Sequence, residues 1–240
     1  MDTVSLDVLK ELAPTGKLRA SINLGNIVLA QGSPDDPTGV TPELARELGN
    51  RLGVPVALTC FDGAGKAFEA MKAGKLDIVF LAIEPVRAAE IEFTAPYVII
   101  EGVYMVPKDS ALKTPADVDR PGMRVGVNKA SAYDLFLTRT LKNATLVRSE
   151  DGAQLFIDEK LDAAGGVKQA LQAFAKRRSD VRLMNERFME IQQAVGCAKG
   201  KLAGAAYLRG FVEEMKASGF VADALKRSGQ HDATVAPAAK

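Results

Sequence analysis

The sequence predicts an α/β protein built from two lobes in tandem. The chain has 240 residues, enough for one large domain or two domains of ordinary size. Short apolar segments typical of strands alternate with amphipathic segments typical of helices, and this series begins again after Tyr97. Hydrophobic residues make up 47% and charged residues 25% of the chain, which is typical of a soluble globular protein and argues against disorder.

The first series begins with a strand over residues 17–23, followed by a loop rich in Gly, Pro and Asp. A helix is predicted after Thr41, which can cap it, with Pro42 in its first position. Gly53 ends that helix. The series continues with a strand over 54–60, a helix over 64–72 and a strand over 77–83. The last strand is apolar without alternation, which is expected in a parallel sheet covered on both faces.

The second series follows an extended segment over residues 98–106. A one-turn helix is predicted over 114–118. The other elements are strands over 124–127, 145–147, 163–165 and 182–184, and helices over 131–141, 151–159 and 167–176. In the first of these longer helices, Leu135 and Leu141 are predicted to face inward.

The C-terminal region changes character after Cys197. A long amphipathic helix is predicted over residues 200–218, followed by a short helix over 220–227. One stripe of the long helix carries Ala203, Tyr207, Phe211, Val212 and Met215. The tail over residues 228–240 has no apolar periodicity, so we expect it to be frayed.

Charge and cysteine content argue against several classes of function. The 31 Lys and Arg nearly cancel the 30 Asp and Glu, so no broad basic field is available to hold nucleic acid. No apolar run reaches the roughly 20 residues that span a bilayer. Cys60, Cys197 and His231 are too few for a structural zinc site, and free thiols are expected. We predict no metal and no cofactor.

Two sequence blocks resemble the solute-binding proteins of polar amino-acid ABC transporters (type 2 periplasmic binding fold). Residues 73–78 (AGKLDI) and residues 84–97 (EPVRAAEIEFTAPY) are similar to a family pattern in which an arginine precedes Phe-x-x-Pro-Tyr. Weaker matches occur over residues 39–45, at Leu52-Gly53-Val54, at Gly126-Val127 and over 160–163, and the resemblance covers roughly residues 15–228.

The resemblance implies a two-lobed fold with a discontinuous first lobe. Lobe one would comprise residues 1–98 and 197–240, and lobe two residues 102–192, with hinge segments near 99–101 and 193–196. A small carboxylate or amino-acid-like solute would bind in the cleft between the lobes, at the carboxyl ends of the strands, and closure on it would follow. The partner would be the membrane permease of an ABC importer, and the protein would be a monomer.

The N-terminal residues do not decide between a periplasmic and a cytoplasmic protein. Residues 1–6 (MDTVSL) lack the basic start and apolar run of a secretion signal. The resemblance implies a periplasmic protein whose signal has been removed, and a cytoplasmic protein is the alternative.

Arg87 is the first candidate for a ligand-binding residue. The matching arginine of the family holds the ligand's α-carboxylate, and a guanidinium suits a carboxylate because it donates two parallel bonds. The alternative is a surface arginine paired with Glu84 or Glu90. Glu84 could receive a ligand donor or orient Arg87.

The second lobe departs from the amino-acid-binding pattern. Family members usually place an Asp shortly after the strand beginning at Ala163, where it holds the α-ammonium, but residues 163–167 read AAGGV. The Ser or Thr of the third strand is also replaced, by Phe80-Leu81-Ala82. Because a buried ammonium without a partner is costly, we expect a carboxylate solute in a less polar pocket.

The remaining candidates flank the predicted cleft. Several of them have a structural alternative: Asn23 and Asn26 can form turns, Lys129 can be solvated, and Ser131 can cap a helix whose N-terminus also favours an anion. The predicted ligand-binding set is completed by Asn23, Asn26, Ala82, Asn128, Lys129, Ser131, Gly166 and Phe188. Lys168, Gln192 and Gln193 are weaker candidates.

Two other functions are weighed against solute import. Cyclohexadienyl dehydratases resemble this family and use a glutamate as general acid, for which only Glu84 and Glu101 are placed here. No His or Cys lies near the predicted cleft, so we assign no catalytic residue. The second alternative is a cytoplasmic solute sensor that uses the same fold.

Overall fold

The computed structural model describes residues 4–240. Its elements, in chain order to the middle of the sequence, are α1 (Leu6–Leu12), β1 (Leu18–Asn23), β2 (Gln31–Gly32), β3 (Pro37–Thr38), α2 (Val40–Leu52), β4 (Val56–Phe61), α3 (Ala64–Lys72), β5 (Val79–Ala82), α4 (Pro85–Ala88), β6 (Ile91–Phe93) and β7 (Val98–Pro107). They are followed by α5 (Pro115–Val118), β8 (Arg124–Asn128), α6 (Ala132–Thr140), β9 (Thr145–Ser149), α7 (Gly152–Asp158), β10 (Ala163–Val167), α8 (Lys168–Ala175), β11 (Val181–Ala198), α9 (Leu202–Ala217), α10 (Phe220–Arg227) and β12 (Thr234–Val235).

The described residues form two compact units. Unit 1 contains the described residues up to Ile99 together with Gln192–Lys240, and unit 2 is Ile100–Ile191. The chain passes from unit 1 to unit 2 within β7 and returns within β11. The positions of the hinge segments remain a prediction.

The strands of unit 1 are parallel at the start of the chain and antiparallel where the last segment returns. β1 pairs in parallel with β4, and Ala20 bridges to Ile78 in the same sense. β11 pairs antiparallel with β5 and β6. β5 is buried along its length, as its continuous apolar sequence predicts.

Helix α2 begins earlier than predicted. Gly39 is its N-cap, with a φ of 105° that favours glycine, and the helix starts at Val40. The prediction that Thr41 caps this helix is therefore wrong, because Thr41 already lies in the first turn. Gly53 ends the helix in the left-handed conformation, as predicted.

The first helix, α1, is absent from the sequence prediction. Ser5 caps it by accepting a bond from the backbone N–H of Val8. Its last turn lies against α9: the Glu11 carboxylate accepts a 2.7 Å bond from the Gly204 N–H, and Lys201 Nζ donates to the Glu11 carbonyl. A carboxylate at a helix N-terminus is favoured by the unpaired N–H groups there.

The C-terminal elements correct two further predictions. The buried residues of α9 include Gly204, Ala205 and Leu208 beside Phe211, Val212 and Met215, so Ala203 and Tyr207 lie at the edge of the stripe. The tail is not frayed, because Thr234 and Val235 in β12 pair with β7. Lys216 Nζ also donates 2.8 Å to the Pro237 carbonyl.

Unit 2 has a sheet in which β8 lies between β9 and β10, in parallel with both. β10 then pairs antiparallel with β7. One core cluster of this unit consists of Val103, Met105, Phe156, Leu161, Ala164 and Leu171. In α6, Tyr133 and Leu137 are buried, whereas Leu135 and Leu141 are only half-buried, so the predicted inward face was wrong.

β11 is much longer than predicted. Instead of a short strand over 182–184 followed by a separate segment, one strand runs for 18 residues from Val181 to Ala198. Exposed polar residues over 185–187 interrupt its apolar pattern. A prediction from apolar periodicity therefore ends the strand too early.

No helix of residues 4–240 is long and apolar enough to cross a membrane. The same residues contain no group of three or more His, Cys, Asp or Glu that could hold a metal ion. Cys60 and Cys197 are free, and burial raises the pKa of the Cys197 thiol to about 11.

Candidate functional site

Arg87 is the most deeply buried charged side chain of the candidate set. It lies on the short helix α4, which Glu84 precedes as N-cap and Pro85 opens. Only 1% of Arg87 is exposed. Its guanidinium donates a 3.1 Å bond to the carbonyl of Ala82, the last residue of β5. The alternative of a surface arginine is therefore excluded.

Glu84 compensates the charge of Arg87. Burial lowers the pKa of the Arg87 guanidinium to about 10, and the neighbouring Glu84 carboxylate acts in the opposite direction. Arg87 is thus a cation at neutral pH, held in a site that excludes water. An anion that reaches such a cation interacts more strongly than it would in water.

The Asn23 and Asn26 side chains hold the loop that follows β1. Asn23 Oδ1 accepts from the Gly25 N–H at 3.0 Å, and Asn26 Oδ1 accepts from the Val28 N–H at 3.2 Å. Both are side-chain turns of the kind that asparagine favours. The NH2 group of each side chain takes no part in these two bonds.

In unit 2, Asn128 and Ser131 shape the loop between β8 and α6. Asn128 Oδ1 accepts from the Gly152 N–H at 2.9 Å, and Ser131 Oγ caps α6 by accepting from the Asp134 N–H at 3.0 Å. Lys129 is exposed between them, and no ion pair of its ammonium occurs within residues 4–240.

Asp134 is a supporting residue that the sequence analysis missed. Its carboxylate accepts from the Ala130 N–H at 2.8 Å and from Arg148 Nε at 2.8 Å. Ala130 has a φ of 58°, which is uncommon for a residue other than glycine. The spacing Ser131-x-x-Asp134 is that of a capping box and could have pointed to this role.

The carboxyl end of β10 has an apolar helix cap. Val167 is the N-cap of α8 and provides no side-chain bond. Gly165 and Gly166 precede it, and a Cβ on Gly166 would lie 3.0 Å from Leu171 Cγ. The described residues therefore place no carboxylate on the stretch where family members carry one.

Glu101 is already paired within unit 2. Its carboxylate accepts from Lys168 Nζ at 2.9 Å and from the Arg187 guanidinium at 3.3 Å. The bond from Lys168 is the main cause of the lowered pKa of Glu101, and Arg187 contributes to it. Lys168 thus balances a carboxylate instead of presenting a separate charge.

Phe188 belongs to an aromatic stack. Its ring centroid lies 4.4 Å from that of Tyr104 and 6.2 Å from that of Phe136. Two glycines make room for it, since a Cβ on Gly102 would lie 3.1 Å and one on Gly165 3.6 Å from the Phe188 ring. The ring consolidates the unit 2 core, and only part of its surface remains available for a ligand.

Each unit brings part of the predicted set together. In unit 1, Ala82, Glu84 and Arg87 lie around the start of α4. In unit 2, Asn128 and Gly166 lie at the carboxyl ends of the neighbouring parallel strands β8 and β10, with Lys129 and Ser131 in the loop that follows β8. Such strand ends are where ligands bind in open α/β sheets.

Sequence comparison identifies the family. Residues 29–230 match the bacterial extracellular solute-binding proteins, family 3. The chain belongs to this family. The L-cystine-binding protein TcyJ of Escherichia coli (strain K12) is 23% identical over 180 residues, which cover 71% of this family 3 chain and 66% of that protein.

Solved structures show the same fold at low identity. The arginine-binding protein ArgBP of T. maritima, as its P235GK mutant, has a TM-score of 0.77 at 19% identity and covers 93% of this family 3 protein and 100% of that chain. A Streptococcus pneumoniae amino acid ABC transporter substrate-binding protein bound to L-arginine has a TM-score of 0.76 at 15% identity, covering 95% and 99%.

A third solved structure has the same fold. The ancestral amino acid-binding protein AncCDT-1, a precursor of cyclohexadienyl dehydratase, has a TM-score of 0.75 at 22% identity and covers 91% of this chain and 97% of that chain. These likenesses confirm the predicted two-lobed type 2 periplasmic binding fold and the family resemblance.

Proposed function

We propose that this protein is the substrate-binding component of an ABC importer and that it captures a small carboxylate solute through Arg87. The observation that supports this most strongly is the buried guanidinium beside Ala82 and Glu84, in a chain of the solute-binding family. A guanidinium binds a carboxylate with two charge-assisted bonds, each contributing about 1.5–3 kcal/mol.

The solute is proposed to lack an α-ammonium group. Val167, Gly165 and Gly166 offer no carboxylate to hold one. Of the two acids considered, Glu84 balances the buried Arg87 guanidinium, and Glu101 is engaged by Lys168 and Arg187. A buried ammonium without a partner would be costly. The proposed solute therefore differs from cystine, arginine and lysine, the ligands named for similar proteins.

Residues of each unit are proposed to bind solute. The proposed set in unit 1 is Asn23, Asn26, Ala82 and Glu84 beside Arg87. The proposed set in unit 2 is Asn128, Lys129, Ser131, Gly166 and Phe188. The hinge segments are proposed to lie near residues 99–101 and 193–196, where the chain would bend when the protein closes on its solute.

We propose import and not catalysis. A general acid needs a pKa raised toward the working pH, whereas its ion pairs hold the pKa of Glu101 below the ordinary value. The protein would act as a periplasmic monomer that delivers solute to a membrane permease.

Thermal melts against a two-armed ligand panel test this proposal. One arm contains α-amino acids, and the other contains aromatic, keto and dicarboxylic acids that lack an α-amine. A ligand at about 1,000 times its Kd stabilises by about 4 kcal/mol, which raises Tm by roughly 8–16 °C in a chain of this size. We expect shifts in the second arm only, because the α-ammonium has no acidic partner.

Arg87→Lys serves as the site variant and Arg209→Lys as its control, since Arg209 is exposed on α9. Lysine keeps the charge and loses the two-bond geometry, so we expect the shift to disappear in Arg87→Lys and to persist in the control. Shifts in the amino-acid arm would overturn the assignment of a solute without an ammonium. A full shift in Arg87→Lys would overturn the role of Arg87.

A further inference from the structure

Gln193 stands out among the buried polar side chains of unit 1. It lies on β11, and only 6% of the residue is exposed. Its backbone carbonyl accepts a 2.8 Å bond from the Tyr97 N–H, and the residue lies opposite β5. The next residue toward the N-terminus, Gln192, is exposed.

The β-sheet register places Gln193 beside the Arg87 site. Gln193 is directly opposite Ala82 in the antiparallel pair of β11 and β5, and the Ala82 carbonyl is the one that accepts from Arg87. Opposite residues of antiparallel strands point to the same face, with Cβ atoms about 4.5–5.5 Å apart. The Gln193 side chain therefore begins beside Ala82, the residue whose carbonyl binds Arg87.

The Gln193 amide has polar atoms to offer. Within residues 4–240 its side chain makes no hydrogen bond. Its polar atoms also keep some contact with solvent. Among residues 4–240, the fully buried side-chain atoms that lack a hydrogen-bond partner belong to other residues, such as Thr41 and Tyr97. Buried amides are nearly always paired in folded proteins, so a buried stem with an available polar end fits a residue that binds a ligand.

We infer that Gln193 is a further solute-binding residue, whose amide hydrogen-bonds the group next to the carboxylate held by Arg87. This inference rests on the proposed function. A primary amide both donates and accepts and carries no charge, so it matches a neutral group such as a hydroxyl better than an ammonium, which a carboxylate holds more strongly. The solute class is then a carboxylate with a hydroxyl on the neighbouring carbon.

Calorimetric titration with a matched ligand pair tests this inference. The pair is a 2-hydroxy carboxylate and the same carboxylate without the hydroxyl, measured on the full chain. The wild type should bind the hydroxy acid more tightly, and Gln193→Leu should weaken that binding by about 2- to 13-fold, the equivalent of one hydrogen bond. Binding of the unsubstituted acid should stay unchanged.

Gln172→Leu is the control and should alter the binding of neither ligand, since Gln172 is exposed on α8. Gln193→Met, which keeps the length of the side chain, provides a second variant if Gln193→Leu folds poorly. Equal ratios of the two affinities in the wild type and in the Gln193 variants would overturn this inference while leaving the proposed function intact. Binding of no carboxylate by the wild type would overturn both.

Discussion

Asp77 shows how one residue ties unit 1 together. Its side chain is fully buried, and its two carboxylate oxygens accept from the Arg19 guanidinium at 2.7 and 3.0 Å. One of them also accepts a 2.9 Å bond from the Arg19 backbone N–H. The residue thus joins β1 to the segment that leads into β5.

Replacing Asp77 by Asn should lower the free energy of unfolding by about 1–3 kcal/mol, because the fully buried side chain at this position loses charge-assisted bonds from the partly exposed Arg19 guanidinium. Urea unfolding of Asp77→Asn measures this loss. Asp180→Asn is the matched control, since Arg178 binds Asp180 with the same two-bond geometry at the surface. A similar loss in both variants would show that burial does not set the strength of the Asp77 pair.

At the scale of elements, the contact of α1 with α9 depends on a glycine. A Cβ on Gly204 would lie 2.8 Å from Leu12 Cδ2, and Leu12 is buried. Gly210 lies on the same helix with nothing within 4 Å of the corresponding position. Substitutions at these two glycines therefore distinguish the effect of packing from that of helix propensity.

Gly204→Ala should lower the free energy of unfolding by about 1 kcal/mol, because overpacking against Leu12 outweighs the gain in helix propensity. Gly210→Ala should raise it by about 0.5–1 kcal/mol, since only the propensity changes. Chemical unfolding of both variants checks the sign. Stabilisation by both substitutions would mean that α1 yields to the added methyl group without cost.

Elements whose sequence signals lie within the segment itself were predicted, and elements that are stabilised by distant parts of the chain were not. The helix over residues 64–72 was predicted at its observed bounds, because its apolar face and flanking glycines lie within the segment. α1 and β12 were missed, since their stability comes from α9 and β7. At the candidate site, Arg87 lies in a motif that the sequence displays. Gln193 was only a weaker candidate in the sequence, because its place beside Ala82 depends on the register of β11 on β5.

At the scale of the whole molecule, the two units differ in how the chain builds them. Unit 2 is one continuous segment, Ile100–Ile191, with its own core. Unit 1 needs both ends of the chain, because β5 pairs with residues 193–196 of β11.

A fragment of residues 100–191 should therefore fold alone, whereas a fragment of residues 1–99 should not. Circular dichroism and denaturant unfolding of the two fragments measure this difference, and we expect a cooperative transition only for the first. Adding residues 192–240 in trans is the control for the second fragment. A cooperative transition of residues 1–99 alone would contradict the expected dependence of β5 on β11.

The late position of β11 in the chain imposes an order on folding. All of unit 2 precedes the residues that complete unit 1, so unit 2 can fold before residues 192–240 reach the first 99 residues. During that interval β5, the most apolar strand of unit 1, has an unpaired edge open to other chains. Until residues 193–196 pair with β5, this edge is therefore the part of unit 1 most exposed to association with another chain.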